Sequence, residues 1–345
     1  MRRREWLEIG IVAALVALAG IAHYAHANEV LAFFVAALAI AGLARLVGSA
    51  TEQLGGRVGT GTAGIVQSGL GNLPELFIAI FALNDGLLVV VQSALVGSIL
   101  ANSVLVLGLA FAVGGLRNGP QQFHSRTART IATLTLLAAA IMALPSFTHA
   151  WGTAAAAHET ALSLVAAGVL LALFFITLPA LMHSAEEEGR EPPHWSLPTT
   201  VVVLGAAGAG AAFASDWFVD ALTPATQAMH MSEAFAGLIV VAIAGNAVEN
   251  VVGVQLAAAN RPDFAISVIL NSSLQVALLL TPVLVFASLF FATNLTLVFA
   301  PLLALVLILA ALLSALVVYD GESTWYEGAI LVGFYIVVAA SFWWG

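Results

Sequence analysis

The chain contains no cysteine, and only 8% of its 345 residues are charged. The first absence excludes disulfides, cysteine-based zinc sites and thiol catalysis. The second excludes more. Soluble domains carry about 25% charged residues, and a chain this poor in them cannot cover its own surface with polar groups. With 61% hydrophobic residues and a mean hydropathy of +1.03, a soluble enzyme, a nucleic-acid binder and a disordered protein are all set aside. No Walker sequence and no HExxH pattern occurs, so neither nucleotide-driven transport nor a zinc protease is indicated. What remains is a chain whose outer surface faces lipid.

A bilayer core needs roughly 20 apolar residues per helix. Apolar runs between polar or Gly/Pro breaks give about eleven spans, over 6–26, 29–49, 60–84, 87–115, 127–147, 155–183, 197–219, 233–258, 263–292, 295–318 and 324–344. All ten basic residues are arginine. With eleven spans and the N-terminus in the cytoplasm, Arg2, Arg3, Arg4, Arg45, Arg57, Arg117, Arg126, Arg129, Arg190 and Arg261 all fall on the cytoplasmic side. The opposite loops, including 145–155 and 215–232, contain none. The seven tryptophans sit near span ends as an interfacial belt, and the eight histidines cluster at span ends or in loops. The expected location is therefore integral to a membrane, a prokaryotic inner or plasma membrane, with the lipid bilayer as a partner and nucleic acid excluded.

Two segments resemble each other. Gly71-Asn72-Leu73-Pro74-Glu75 matches Gly245-Asn246-Ala247-Val248-Glu249, 174 residues later, and the same offset sets Gly97-Ser98 on Asn271-Ser272. Five spans separate the copies, an odd number, so the copies cross the membrane in opposite directions. The expected fold is thus an all-α polytopic membrane protein of about eleven helices. It divides into an extra N-terminal helix (1–27), a first five-helix repeat (28–185), an acidic cytoplasmic linker (186–196) and a second, inverted repeat (197–345). Inverted repeats are typical of secondary transporters with a site at the repeat interface near the midplane.

Most of the nineteen acidic residues lie in loops or near span ends, but Glu75 and Glu249 lie deep in apolar spans and are repeat equivalents. A carboxylate there costs about 2.5–3.5 kcal/mol even on insertion scales. An alternative reading is a protonated glutamate that merely joins two helices; the symmetry of the pair and of its neighbours argues against it. Gly71 and Asn72 precede Glu75 by four and three residues, and Gly245 and Asn246 precede Glu249 likewise, so each trio shares a helix face. Glycine in mid-span lets a helix break and turn its carbonyls toward a cavity. On the following spans, Ser98 with Asn102 makes one polar stripe and Ser272 with Gln275 its counterpart. Singly such residues suggest interhelical packing; paired one span after each glutamate, they suggest ligands. Two carboxylates, amides, hydroxyls and loosened carbonyls form an all-oxygen site of the kind Ca2+ prefers. Without the ion, two such carboxylates take up protons. A site holding either a divalent ion or protons on inverted repeats describes an exchanger, with Ca2+ as cargo and no resident cofactor.

These residues resemble the cation/Ca2+ exchanger superfamily and, within it, the Ca2+/H+ (CAX-type) antiporters. The segments GNLPELFIAIFAL (71–83) and GNAVENVVGVQLA (245–257) look like that family's paired signature helices, and residues 90–111 and 265–285 look like their continuations. The resemblance implies Ca2+ held between Glu75 and Glu249, counter-ions competing for the same site, and alternating access by helices moving beside a fixed core. It also implies that the first span is peripheral or regulatory. Three positions depart from the family pattern. Asn250 stands where histidine usually follows the second glutamate, Leu73-Pro74 is closer to the Na+/Ca2+ branch, and Asn271 replaces a usual glycine. The Na+/Ca2+ branch usually has an acid on the second repeat opposite Asn102, where this chain has Val276 with Gln275 adjacent. A missing oxygen ligand favours H+ over Na+ as counter-ion. The competing readings are a Na+/Ca2+ or Na+/H+ exchanger on the same scaffold, a cation channel and an intramembrane enzyme. A channel needs a continuous polar path or an oligomeric filter, whereas the polar residues here concentrate at one depth; an intramembrane protease needs paired aspartates, Ser/His or zinc. A homo-oligomer is compatible with all of them. The acidic stretch over 186–191 reads either as a solvated linker or as a segment that attracts or senses Ca2+; either way four like charges raise the local cation concentration.

Overall fold

The computed structural model describes residues 3–57, 69–187 and 193–344, and the described chain is helical almost throughout. The helices are α1 (Arg3–Tyr24), α2 (Glu29–Gly55), α3 (Leu73–Asn84), α4 (Leu88–Asn118), α5 (Ser125–Ala150), α6 (Glu159–Glu187), α7 (Leu197–Met229), α8 (Glu233–Gly245), α9 (Ala247–Ala258), α10 (Pro262–Phe290), α11 (Pro301–Val317) and α12 (Trp325–Trp343). Among the described residues, eight are long and apolar enough to cross a membrane, or nine spans if α8 and α9 count as one bent crossing; α3 and α11 are shorter and apolar. The protein is an all-α polytopic membrane protein. Its lipid-facing surface carries large side chains that water would not tolerate, such as Ile11 and Ile21 on α1, Ile176 on α6 and Ile336 on α12.

Local chemistry sets the helix ends. Asn28 caps α2 by accepting from the amides of Val30 and Leu31. Ser196 caps α7 through the amide of Thr199, and Thr324 with Glu327 forms a capping box on α12. Inside the bundle, helices approach where side chains are smallest. A Cβ on Gly97 of α4 would collide with the carbonyl of Leu238 on α8, and one on Gly237 would meet the carbonyl of Val90, so two glycines let these helices cross with backbones nearly touching. Along α2 and α7, Phe33 stacks on Phe218 with ring centroids 4.8 Å apart and Leu43 fills the notch at Gly210.

The described helices depart from the expected spans in four places. The span expected over 197–219 continues as a helix to Met229, so Ser215, Asp216 and Asp220 are helical rather than in a loop; it stops only at His230, whose left-handed φ of 53° ends the run. Likewise α5 carries Pro145 inside it and runs on to Ala150. Hydropathy marks where the apolar part of a span ends, whereas a helix persists into polar surroundings until a cap or break stops it. The span expected over 233–258 is two helices bent by 62°. The span expected to begin at 295 is helical only from Pro301, which sits in the first helical turn and holds Ala300 extended at ψ 140°.

That extended approach to α11 is buried, and four side chains satisfy its backbone. Ser146 of α5 accepts from the Phe299 amide (2.8 Å) and donates to the Leu297 carbonyl (3.1 Å), while Ser163 of α6 accepts from the Leu297 amide (2.9 Å). Ser288 of α10 accepts from the Leu295 amide (2.8 Å), and Gln92 of α4 donates to the carbonyls of Thr296 and Val298 (2.9 and 3.1 Å). At the other end, β1 (Gln121–Gln122) pairs antiparallel with β2 (Glu322–Ser323), and Gln121 donates to the Ala257 carbonyl at the end of α9 (3.0 Å). Two staples thus bind α4, α5, α6, α9, α10, α11 and α12 into one block. The first part of the span expected over 60–84, together with Arg2, Arg190 and residues 188–191 of the acidic stretch, lies outside the described residues.

Candidate ion site

Two asparagines interrupt helices in the same way. Asn72 ahead of α3 has φ −95° and ψ 17°, and Asn246 between α8 and α9 has φ −93° and ψ 23°. Each break starts a new helix whose first turn holds the glutamate, Glu75 or Glu249. The amides of a helix start point toward that turn, which favours negative charge there. Both long helices that follow contain a π-helical turn, Ala101–Val106 in α4 and Val276–Leu280 in α10. Such turns are frequent at functional sites, and the first contains Asn102.

Five of the ten residues singled out from the sequence meet in one buried network. Glu75 Oε1 accepts from Ser98 Oγ (2.7 Å) and from Asn246 Nδ2 (2.6 Å). Asn246 Nδ2 also donates to Ser98 Oγ (3.1 Å) and to the Ala242 carbonyl (2.9 Å), which fixes the orientation of its amide. Its Oδ1 accepts from Asn102 Nδ2 (2.6 Å), and Asn102 Nδ2 also donates to Ser272 Oγ (3.0 Å). The network runs from α3 through α4 and the α8–α9 break to α10, so residues distant in sequence converge on one point. Glu75 is 6% exposed and Asn102 fully buried. Two of its acceptors, Glu75 Oε2 and Asn102 Oδ1, are buried without a hydrogen-bond partner among the described residues.

The other five residues stand differently. Glu249 is half-buried and outside the network, in the first turn of α9. Gly245 is required sterically, because a Cβ there would collide with Cγ of Glu75; Gly71 has open space where its Cβ would be. Asn72 is buried at its break, and Gln275 is half-buried and makes no hydrogen bond among the described residues. Of the polar stripe expected on α10, Ser272 joins the network and the Gln275 side chain does not. A narrow crevice lined by Ile78, Ala82, Val91, Leu95, Val241 and Leu280 reaches Glu75 and Ser98.

Three further polar residues, not singled out from the sequence, lie on helices that pack around the network. Ser103 donates to the Ile99 carbonyl (2.6 Å), which Ser273 of α10 also approaches (3.5 Å). Each directly follows a residue already singled out, Asn102 and Ser272, which is the signal that could have found it. The third is Glu52 near the end of α2, which packs on α9, the helix that bears Glu249. Its position near a span end gave no hint, since only the folded packing brings the two helices together. Among the described residues no three His, Asp or Glu side chains converge as a metal cluster. The network holds one carboxylate, that of Glu75, among neutral hydroxyls and amides.

Known proteins can now be set beside this geometry. The family described as "Sodium/calcium exchanger protein" matches residues 28–182 and 199–344. The chain is 34% identical over 341 residues to the Ca2+/H+ antiporter ChaA of Bacillus subtilis (strain 168), covering 96% of this chain and 97% of that one. It is 32% identical over 342 residues to a Ca2+/H+ antiporter of Aphanothece halophytica, covering 93% and 92%. Among solved structures, native YfkE superposes with a TM-score of 0.85 at 32% identity, covering 97% of this chain and 99% of its own. The H+/Ca2+ exchanger CAX shares the fold, with a TM-score of 0.77 at 16% identity over 99% of this chain and 92% of its own. Matches of this extent, over a membrane bundle broken at two equivalent asparagines, place the chain: it belongs to the sodium/calcium exchanger family of transporters, in its Ca2+/H+ antiporter branch.

Proposed function

We propose that this chain exchanges Ca2+ for H+ by secondary active antiport, with both ions competing for Glu75 and Glu249. The observation that carries the reading is the hydrogen bonding of Glu75. The Ser98 hydroxyl and the Asn246 amide both turn donors on Oε1, while Oε2 keeps its lone pairs in a buried position. Donors aimed at a buried carboxylate stand in for a cation, and such a carboxylate otherwise needs a proton or an ion. When Ca2+ enters, Ser98 rotates its proton away and offers its oxygen beside the Glu75 carboxylate, exchanging an O–H dipole for an oxygen ligand. Asn102 Oδ1 and Ser272 Oγ then complete an oxygen shell. Displaced protons leave through the same carboxylates, and this couples the two fluxes. The names of the relatives agree, since the proteins of Bacillus subtilis and Aphanothece halophytica are Ca2+/H+ antiporters.

The way the bundle is fastened supports alternating access. The two staples tie α4–α6 and α9–α12 into a block, while α2 and α7 lie together alongside α9 and α3, the helices that bear the two glutamates. Sliding α2 and α7 over that block would open the glutamates to one side and then the other. The first five-helix unit (28–185) and the second (197–345) then act as inverted halves around the site, with the N-terminus in the cytoplasm. The deciding experiment is 45Ca2+ uptake into proteoliposomes under a pH gradient or a Na+ gradient. Uptake driven by the pH gradient is expected; uptake driven by Na+ alone would assign the counter-ion to Na+ instead.

A further inference from the structure

The first helix lies outside the block and outside the site, yet it is fastened with unusual care. Its buried face is narrow, with Val12, Ala19 and Gly20 covered and most of its large side chains facing lipid. What covers that face is α2 and α7. Val12 of α1 fills the notch at Gly42 of α2, and Gly20 of α1 lies under the indole of Trp217 of α7. Polar contacts repeat the pattern at both ends. At the end where α1 finishes, His23 stacks on Trp217 and its Nδ1 lies 3.9 Å from Asp220 of α7. At the end where it begins, Glu8 accepts from Arg45 of α2 (3.0 Å), and Glu5 Oε1 lies 2.7 Å from Nε2 of His194 in the segment leading into α7. That segment is clamped to α2 as well. The Oε1 of Gln53 accepts from the backbone amides of both His194 and Trp195 (2.9 and 3.0 Å), and Arg57 donates to the Trp195 carbonyl.

These contacts form a closed triangle, α1 to α2, α2 to α7 and α7 to α1, made at both ends and in the middle. Helices that slid past one another would not share side-chain locks at both ends, because a shift of one helical turn of about 5.4 Å breaks every such contact at once. The staples described above, by contrast, join the other helices to each other. We propose that α1 is a strut that binds α2 and α7 into one moving body, with Glu5, Gln53 and His194 as positioning residues for the transport cycle. The proposal rests on the alternating-access reading given above. It assigns the extra helix a mechanical role: keeping the two long helices in step, so that one glutamate is not exposed while the other is still closed.

The absence of cysteine makes a direct test available. The Cβ of a residue at 42 would lie 3.6 Å from Cβ of Val12, within disulfide reach, so the double variant Val12→Cys/Gly42→Cys locks α1 to α2. His23→Cys/Asp220→Cys, bridged by a short bifunctional thiol reagent, locks α1 to α7. Leu73→Cys/Gly208→Cys, bridged likewise, locks α7 to α3, the helix over which it would slide and which bears Glu75, where the Leu73 side chain comes within 3.9 Å of a Cβ at 208. Each protein is compared with its own reduced or unbridged form by 45Ca2+ exchange in proteoliposomes, so differences in folding cancel. The two α1 locks are expected to keep at least about half of the exchange rate, and the α7–α3 lock to leave less than about a tenth. Loss of exchange in either α1 lock overturns the strut. Full exchange in the α7–α3 lock instead overturns the sliding reading on which it rests. In parallel, Gln53→Ala and His194→Ala should lower the maximal rate about fivefold with the Ca2+ concentration for half-maximal rate unchanged. An unchanged maximal rate, or a change confined to the half-maximal concentration, also overturns the assignment.

Discussion

At the scale of single residues, the decisive property of Glu75 is that its partners are neutral donors and not cations. A carboxylate paired with arginine would be a structural ion pair, costly to break and of no use for binding a mobile ion. Held by one hydroxyl and one amide, it is stabilised enough to be buried yet free to trade those donors for Ca2+ or for a proton. Glu75→Gln keeps the shape and the acceptor but removes the charge, and Glu249→Gln does the same half a network away. Each is expected to abolish 45Ca2+ exchange in proteoliposomes while the protein still elutes as a single species; retained exchange in both would remove the glutamates from the mechanism. Asn102 tests the neutral oxygens. Its Nδ2 serves both Asn246 and Ser272, so Asn102→Ala removes two buried hydrogen bonds and leaves those groups only the long one between Ser272 Oγ and Asn246 Oδ1 (3.4 Å), at a cost of about 1–3 kcal/mol. It should raise the Ca2+ concentration for half-maximal uptake more than it lowers the maximal rate.

At the scale of elements, the paired breaks were legible in the sequence and much else was not. Gly-Asn ahead of a glutamate in an apolar run marks a helix that cannot continue smoothly, and the offset of 174 residues repeats it. That signal is local, since the glycine, the amide and the acid lie within five residues. The extended approach to α11 carries no such signal. Leu295, Leu297 and Phe299 are as apolar as any span, and hydropathy therefore extended the helix over them. The backbone stays unwound only because Ser146, Ser163, Ser288 and Gln92 come from four other helices to satisfy it, and no pattern within the segment records those partners. The long α7 was misjudged for a related reason, since hydropathy reports lipid and not helix length. Two variants probe this level. Ser146→Ala removes a donor and an acceptor from the buried strip at a cost of about 2 kcal/mol, enough to lower the thermal midpoint by about 3 °C in a chain of this length. Gly245→Ala tests the break itself. The added methyl meets Cγ of Glu75, so exchange should be lost while the midpoint falls little; normal exchange in this variant would show that the contact is not part of the working site.

At the scale of the whole molecule, the proposed exchange leads to a definite dependence on pH. If Glu75 and Glu249 hold both ions, Ca2+ needs both carboxylates ionised and protons fill the same oxygens in its absence, so the two ligands are mutually exclusive. Lowering the pH on the side from which Ca2+ enters should therefore raise the Ca2+ concentration for half-maximal uptake and leave the maximal rate nearly unchanged, as competition requires. Raising it should do the reverse. If the maximal rate fell with acid while the half-maximal concentration stayed fixed, protons would be acting elsewhere than at Glu75 and Glu249. Glu52 adds a directional element. It is exposed, near the end of α2, which packs on α9, the helix that bears Glu249. That end of the molecule also carries Arg45 and Arg57. Under the orientation read from the arginines, it is the cytoplasmic end, where an exposed carboxylate would draw cytoplasmic cations toward the site. Glu52→Gln should slow Ca2+ entry from that side only, at low Ca2+ and low ionic strength most of all, since attraction by an exposed charge is screened by salt. Vesicles with the protein in a single orientation, fixed by labelling Asn118→Cys from one side and Trp151→Cys from the other, would show the asymmetry. Equal slowing from both sides would place Glu52 in the site itself, not at its entrance.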